Sequence, residues 1–301
     1  MASHSFLFPG QGSQYLGMAG ELVSRSKAAY ELFSQANSLL GYNLLNICLK
    51  GPDRLLNSTE FSQPAIFVSS LAALTDLALS RPELVENCYA TAGLSLGEYT
   101  ALVFAGAISF EDGLSLVRQR GIFMQSASNI NPGSMASILL ISQEKLELIC
   151  LEVSKFDEVI ISNFLCPGNL VISGTKKAVE QAQLLASDAG AKVIKLSVAG
   201  AFHTEFMESA RRELSEILHA IPIQDPKIPV WSNVTGKPHG EIGSIRKSLE
   251  LQVVKPVYWH AIMLDILDKG CLDFYEIGPG KVLTGLLKRI NRKASCFNIP
   301  A

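Results

Sequence analysis

Charge is scarce in this 301-residue chain and neither sign dominates: Asp, Glu, Lys and Arg make up 18% of it, and the formal net charge is -2. Without a basic patch to neutralise phosphates, nucleic acid and anionic membrane surfaces are not expected as partners. Cysteine is sparse too. Cys48, Cys88, Cys150, Cys166, Cys271 and Cys296 are too scattered to make a Cys-x-x-Cys pair or, with a histidine, a zinc site. No metal is expected, and the thiols are expected to be reduced and mostly buried, as in a cytoplasmic protein. No apolar run approaches the roughly 20 residues that span a bilayer. Met1-Ala2-Ser3-His4-Ser5 lacks the basic start and apolar core of a secretion signal. No internal repeat, low-complexity tract or long linker divides the chain.

What is present is a 48% hydrophobic composition, enough for one large domain or a large domain carrying an insertion. The most informative stretch is Ala92-Gly93-Leu94-Ser95-Leu96-Gly97-Glu98-Tyr99. An apolar strand runs into a turn and then a helix from about Leu96 to Phe104, with Ser95 between two glycines. This Gly-x-Ser-x-Gly elbow needs small residues two before and two after the serine, because side chains there would strike the neighbouring strand or helix. A chance match is the competing explanation, but the pentapeptide occurs once and in the strand-turn-helix setting that the chemistry requires.

Two glycine-rich segments look like nucleotide sites; the reading is weak for the first and fails for the second. In Pro9-Gly10-Gln11-Gly12-Ser13-Gln14 the third dinucleotide-fingerprint glycine is replaced by Tyr15. Around Gly278-Pro279-Gly280-Lys281, Tyr275 and Val282 stand where a phosphate-binding loop has Gly and Ser/Thr. The first loop can still offer backbone amides to a developing oxyanion.

Further along, helical spacing is expected from about Tyr15, over Lys27 to Leu40 and over Gln63 to Leu79, the last with Pro64 in its first turn. Ser109 caps a helix running to about Ser126 that carries Arg118 and Arg120. Two apart, these arginines do not share a face. One is expected in solvent and the other turned toward Ser95.

From Ser134 the pattern becomes strand, helix, strand, strand, helix, strand, ending near Val198, which is the order of a ferredoxin-like unit. The expected fold is therefore α/β: a discontinuous catalytic body over residues 1-130 and 200-301, with a small βαββαβ body inserted over 131-199. Ile228 to Trp231 and Leu272 to Glu276 read as strands of the larger body, and Ser244 to Gln252 and Pro256 to Asp268 as helices.

A serine needs a base. Of five histidines, His4 is in a tail, His219 is late in a helix, His239 sits in a polar loop, and His260 rides a helix as an ordinary residue. His203, in Gly200-Ala201-Phe202-His203, alone sits at a strand-to-helix junction among small and apolar residues, and is the favoured partner of Ser95.

These segments, in order, resemble the malonyl-CoA:acyl carrier protein transacylase family: Phe8 to Gln14, Gly93 to Glu98, Arg118-Gln119-Arg120-Gly121, Gly200 to His203, and Gln252 ahead of Pro256-Val257. The resemblance covers essentially the whole chain. It implies an α/β-hydrolase-like large domain, with Ser95 as the acylated nucleophile and His203 as its base. It also implies an oxyanion hole from the amides of Gln11 and Leu96, Arg120 on the malonyl carboxylate, and Gln252 lining the site with its carbonyl orienting His203. Malonyl-CoA and an acyl carrier protein are then the partners, no cofactor is required, and a monomer is expected. A guanidinium suits a carboxylate, which it can pair bidentately, and a plain esterase has no need of one. Phe202 beside the base would crowd a substituent on the acyl α-carbon, favouring malonyl over methylmalonyl.

Three positions depart from the family: Leu94 stands for the usual histidine, and Leu165 and Asn169 for Asn and Gln. They bear on acyl and carrier choice and leave Ser95, His203 and Arg120 untouched. A proofreading acyl hydrolase of the same fold and a catalytically dead carrier-docking module are the alternatives. Arg120 argues against the first, and Ser95 with His203 against the second.

Overall fold

The structure is a computed structural model that describes residues 4–198 and 200–301; Met1 to Ser3 and Ala199, the last residue assigned to the insertion, lie outside the described residues. Its strands, in chain order, are β1 (His4–Phe8), β2 (Cys88–Gly93), β3 (Gly133–Leu139), β4 (Val159–Cys166), β5 (Asn169–Thr175), β6 (Lys192–Lys195), β7 (Asp273–Ile277) and β8 (Ser295–Ile299). They form two separate sheets, β2-β1-β7-β8 and β4-β5-β3-β6.

The first sheet is parallel throughout. Its central strand β1 is buried along its whole length, as a strand covered on both faces by helices must be. The Thr59–Ser80 helix lies in this body's core, with Ile66, Phe67 and Val68 fully buried. It corrects two expectations. It begins before Gln63, so Pro64 lies inside it rather than in its first turn. It is also long and apolar enough by composition to cross a bilayer, yet 78% of its most apolar window is buried inside the protein, which makes it a core helix.

Other elements differ from expectation for local reasons. The segment at Ile228 to Trp231 is no full strand: it meets β2 only through Thr91 N to Pro229 O (3.0 Å) and Trp231 N to Thr91 O (3.2 Å). Pro229 has no N–H to extend the ladder. The helix expected from Pro256 begins at Trp259, since the chain there extends to pair Val257 with the second sheet. The edge strand β8 carries a half-exposed, mixed pattern that gives no periodic signal.

The second sheet is antiparallel in its three pairings, and with helices Gln143–Val153 and Lys176–Asp188 it makes the βαββαβ order. It has its own apolar core, including Ile138, Leu146, Ile172 and Val179. Its neck closes where Pro132 bridges Gly200. Phe164 N donates to Val257 O and Val257 N to Ser162 O (both 2.9 Å), and the Ser173 hydroxyl donates to the Phe202 carbonyl (2.9 Å). The insertion is thus tied to the chain beside His203.

Candidate active site

The elbow forms because its backbone is packed from both sides. Leu94 N donates to Phe8 O at 3.0 Å, docking the turn on β1. A Cβ built on Gly93 would overlap the backbone of Gly97, and one on Gly97 would overlap the Phe8 carbonyl. A Cβ on Gly10 would overlap the Leu94 carbonyl, so the Pro9–Gln14 loop lies directly against the elbow. Ser95 is forced to φ 51°, ψ -101°, a conformation that costs energy and that persists because its surroundings hold it there. Asn233 is the clamp: its side-chain oxygen accepts from Ser95 N (2.6 Å) and its amide donates to Gly93 O (2.7 Å).

His203 sits at φ 62° with its backbone N bonded to Val253 O (3.0 Å). Its Nδ1 lies 2.7 Å from the Gln252 carbonyl, so that nitrogen carries the proton and Nε2 is left as an acceptor for the Ser95 Oγ, 3.0 Å away. Burial, then the positive charge of Arg120, pulls the His203 pKa from its ordinary 6.5 to about 4. The imidazole is therefore neutral near pH 7 and free to take a proton.

Arg120 lies on the Phe110–Ile130 helix and is 1% exposed. The helix crosses the Thr59–Ser80 helix closely, because Gly121 has no side chain: a Cβ there would stand 2.6 Å from Thr59 O. This crossing brings Arg120 beside Gln63, whose Oε1 accepts from Nη1 at 2.8 Å. Nη2 donates to Gln252 Oε1 (2.9 Å) and to Ser95 Oγ (3.0 Å). The guanidinium stacks 5.3 Å over the Tyr99 ring, and its Nε has no partner among the described residues. All three hydrogen bonds go to neutral oxygens, which leaves a buried cation suited to receive an anion. Burial also lowers its proton affinity. Arg118 is half-buried, 6.0 Å over the Tyr42 ring and outside these contacts, so the open choice between the two arginines falls on Arg120.

Gln11 is half-buried in the loop against the elbow, and Leu96 is the first residue of its helix, where backbone N–H groups have no intrahelical acceptor. Phe202 is buried in the main core. Leu94 and Leu165, two of the unusual positions, pack against the same apolar cluster, which includes Cys166, Trp231 and Trp259. Asn169 accepts from the Ser137 hydroxyl at 2.9 Å.

Sequence reasoning missed Gln63, Glu98, Asn233 and His239. Glu98 is fully buried and accepts from Gln252 Nε2 (2.6 Å), Asn233 N (3.1 Å) and His239 Nε2 (2.8 Å). An acid on the buried face of the helix that follows the elbow was a usable signal. The others come from distant segments, and no local pattern marks them. The six cysteines are free; burial drives Cys48, Cys88 and Cys150 to about 12, and all but Cys296 are buried.

An elbow serine within reach of a neutral histidine, on an α/β-hydrolase-like sheet, is an arrangement suited to acyl-group chemistry. The chain belongs to the acyl transferase family: the model of the acyl transferase domain matches residues 5–297. It is 41% identical over 297 residues to the malonyl CoA-acyl carrier protein transacylase of Bacillus subtilis, covering 97% of this chain and 92% of that one. Among solved structures, the malonyl-CoA:acyl carrier protein transacylase of Xanthomonas oryzae superimposes with a TM-score of 0.95 at 37% identity, over 99% of this chain and 95% of that one. A malonyl-transacylase solved with the acyl-carrier protein of a type II polyketide synthase gives 0.94 at 36%, over 99% and 96%.

Proposed function

We propose that the protein transfers a malonyl group from malonyl-CoA to the phosphopantetheine thiol of an acyl carrier protein, by way of a malonyl ester on Ser95. His203 Nε2 takes the Ser95 hydroxyl proton as Oγ attacks the thioester carbonyl. The developing oxyanion is met by the amides of Gln11 and Leu96. The C–S bond breaks, and the CoA sulfur leaves with the proton from His203. The carrier thiol then gives its proton to His203, attacks the ester, and Ser95 leaves as the hydroxyl.

The observation that carries this reading is Arg120, a buried cation whose hydrogen bonds end on neutral oxygens beside Ser95. A substrate carboxylate replaces the neutral Ser95 acceptor with a charged one. An acyl hydrolase clearing uncharged chains has no use for it. No metal or redox cofactor enters the reaction. The buried free thiols suit a reducing compartment such as the cytoplasm, and the protein acts as a monomer. The carrier serves fatty-acid or polyketide synthesis, and Phe202 favours malonyl over methylmalonyl.

Incubation with malonyl-CoA, with and without a carrier protein, tests the reading by intact mass. A malonyl adduct is expected on the wild type and its transfer to the carrier on addition. Ser95→Ala should lose the adduct, with turnover down on the order of ten-thousand-fold or more. An adduct on that variant, or release of malonate to water in place of transfer, overturns the reading.

A further inference from the structure

Glu98 and Arg120 share a partner and are not hydrogen-bonded to each other: Gln252 stands between them, accepting from Arg120 through Oε1 and donating to Glu98 through Nε2. A direct Glu98–Arg120 pair would neutralise the guanidinium that the substrate carboxylate needs. What holds Glu98 away lies on a distant hairpin. His239 is anchored by its backbone N to Val230 O (2.7 Å), in a segment where Trp231 bridges Pro238. Its ring points inward to Glu98 Oε1 at 2.8 Å, and the two side chains are 1% and 0% exposed. Gln252 and Asn233 both donate to Oε2, and Oε1 of the ionised carboxylate is likewise an acceptor, so His239 Nε2–H is the donor there. The other ring nitrogen, Nδ1, is buried with no partner among the described residues. Among the described residues, the bond to Glu98 is the one side-chain hydrogen bond this ring makes.

We propose that His239 is a positioning residue that sets acyl selectivity: by occupying Glu98 Oε1 it keeps that carboxylate turned from Arg120 and reserves the guanidinium for the acyl carboxylate. The same bond steadies Asn233 and Gln252, through which Glu98 reaches the elbow. The inference rests on the malonyl reading above.

The test compares wild type, His239→Leu and His239→Gln in the full chain, measuring kcat and KM for malonyl-CoA and acetyl-CoA beside a thermal melt. Leucine fills the space without a donor; glutamine keeps an N–H. In His239→Leu the malonyl-to-acetyl ratio of kcat/KM is expected to fall about 10- to 100-fold, the range of a lost hydrogen bond to a charged group, and chiefly through KM for malonyl-CoA. His239→Gln should recover the ratio to within about threefold. A wild-type ratio in the leucine variant, an equal loss on both thioesters, or a glutamine variant no better than leucine overturns the proposal. If the leucine variant does not fold, the glutamine variant decides: folded but without malonyl preference, it overturns the proposal, and with it retained, it supports the donor role. Failure of the wild type to load malonyl would instead condemn the proposed function.

Discussion

The two bodies of this molecule bury different things. Among the described residues, the buried charged side chains, Glu98, Arg120, Glu250 and Glu276, all belong to the large body, as does His203. The inserted body buries Ser137, Ser162, Asn163 and Ser173 but no charge. Its core is apolar, its pairings are local, and it has the economy of a unit whose task is to keep its shape. Leu140 in the insertion also takes a positive φ, 64°, but among the described residues only the large body joins such strain, at Ser95 and His203, to a dry guanidinium, and these states cost energy unless the surroundings compensate. The contrast teaches where function sits without reference to any relative. The insertion contributes by position: it is pinned to the chain next to the base by Ser173 and to Val257 by β4.

The sharpest way to break this contrast is to remove the dry cation. Arg120→Ala strands the malonyl carboxylate, a loss on the order of 3–5 kcal/mol for a buried pair, so malonyl loading should collapse while acetyl loading is spared and selectivity inverts. Arg120→Lys should recover only part, lacking the parallel hydrogen bonds. Steady-state rates on both thioesters decide it; equal slowing would make the arginine structural.

The converse experiment cuts into the insertion. Ile172 is fully buried there, and Ile172→Ala should cost about 2–5 kcal/mol of stability. Measured well below its lowered Tm, its malonyl-to-acetyl preference should stay that of the wild type. A lost preference would show that the insertion shapes acyl choice.

Acid titration sharpens the comparison further. His203 in the folded protein takes its proton only at about 4, against 6.5 ordinarily, because burial and then Arg120 disfavour the imidazolium. The neutral imidazole is the working base, so adduct formation in a quenched-flow series should fall with a midpoint near 4. The stability due to neutral burial has a matching sign. The unfolded chain binds this proton first, so the contribution is whole above 6.5 and is lost as pH drops toward 4. Arg120→Ala should raise the midpoint by removing the repulsion. A wild-type midpoint at 6.5 would mean that His203 is solvated.

Arg118→Ala is the smallest expected effect and the internal control. Its contact is with the Tyr42 ring, half-exposed, and a cation–π pair of that kind contributes about 0.5–1 kcal/mol to stability. Acyl selectivity should not move.

Some of this was legible one residue type at a time. The helix Leu96–Phe104 has the expected bounds, and the strand Cys88–Gly93 and the helix Gln143–Val153 fall where a strand and a helix were expected, because glycine sterics, caps and apolar period act within a few residues of each other. The elbow could be seen for the same reason. Pro229 defeated a strand that hydropathy favours, and β8 was missed because an edge strand needs only one neighbour and need not alternate cleanly.

The chain's local chemistry settled the class of fold, the elbow at Ser95 and the unusual setting of His203, since each depends on backbone conformations that neighbouring residues impose. Which arginine faces Ser95 was not local. It follows from Gly121 allowing two helices to cross at the Thr59 carbonyl, so that Arg120, and not Arg118, meets Gln63 and Gln252. Nor could any spacing join Glu98 to His239 across 141 residues, or Ser95 to Asn233 across 138. A buried polar group takes its partner from whichever segment the packing delivers, and only the folded chain decides which one that is.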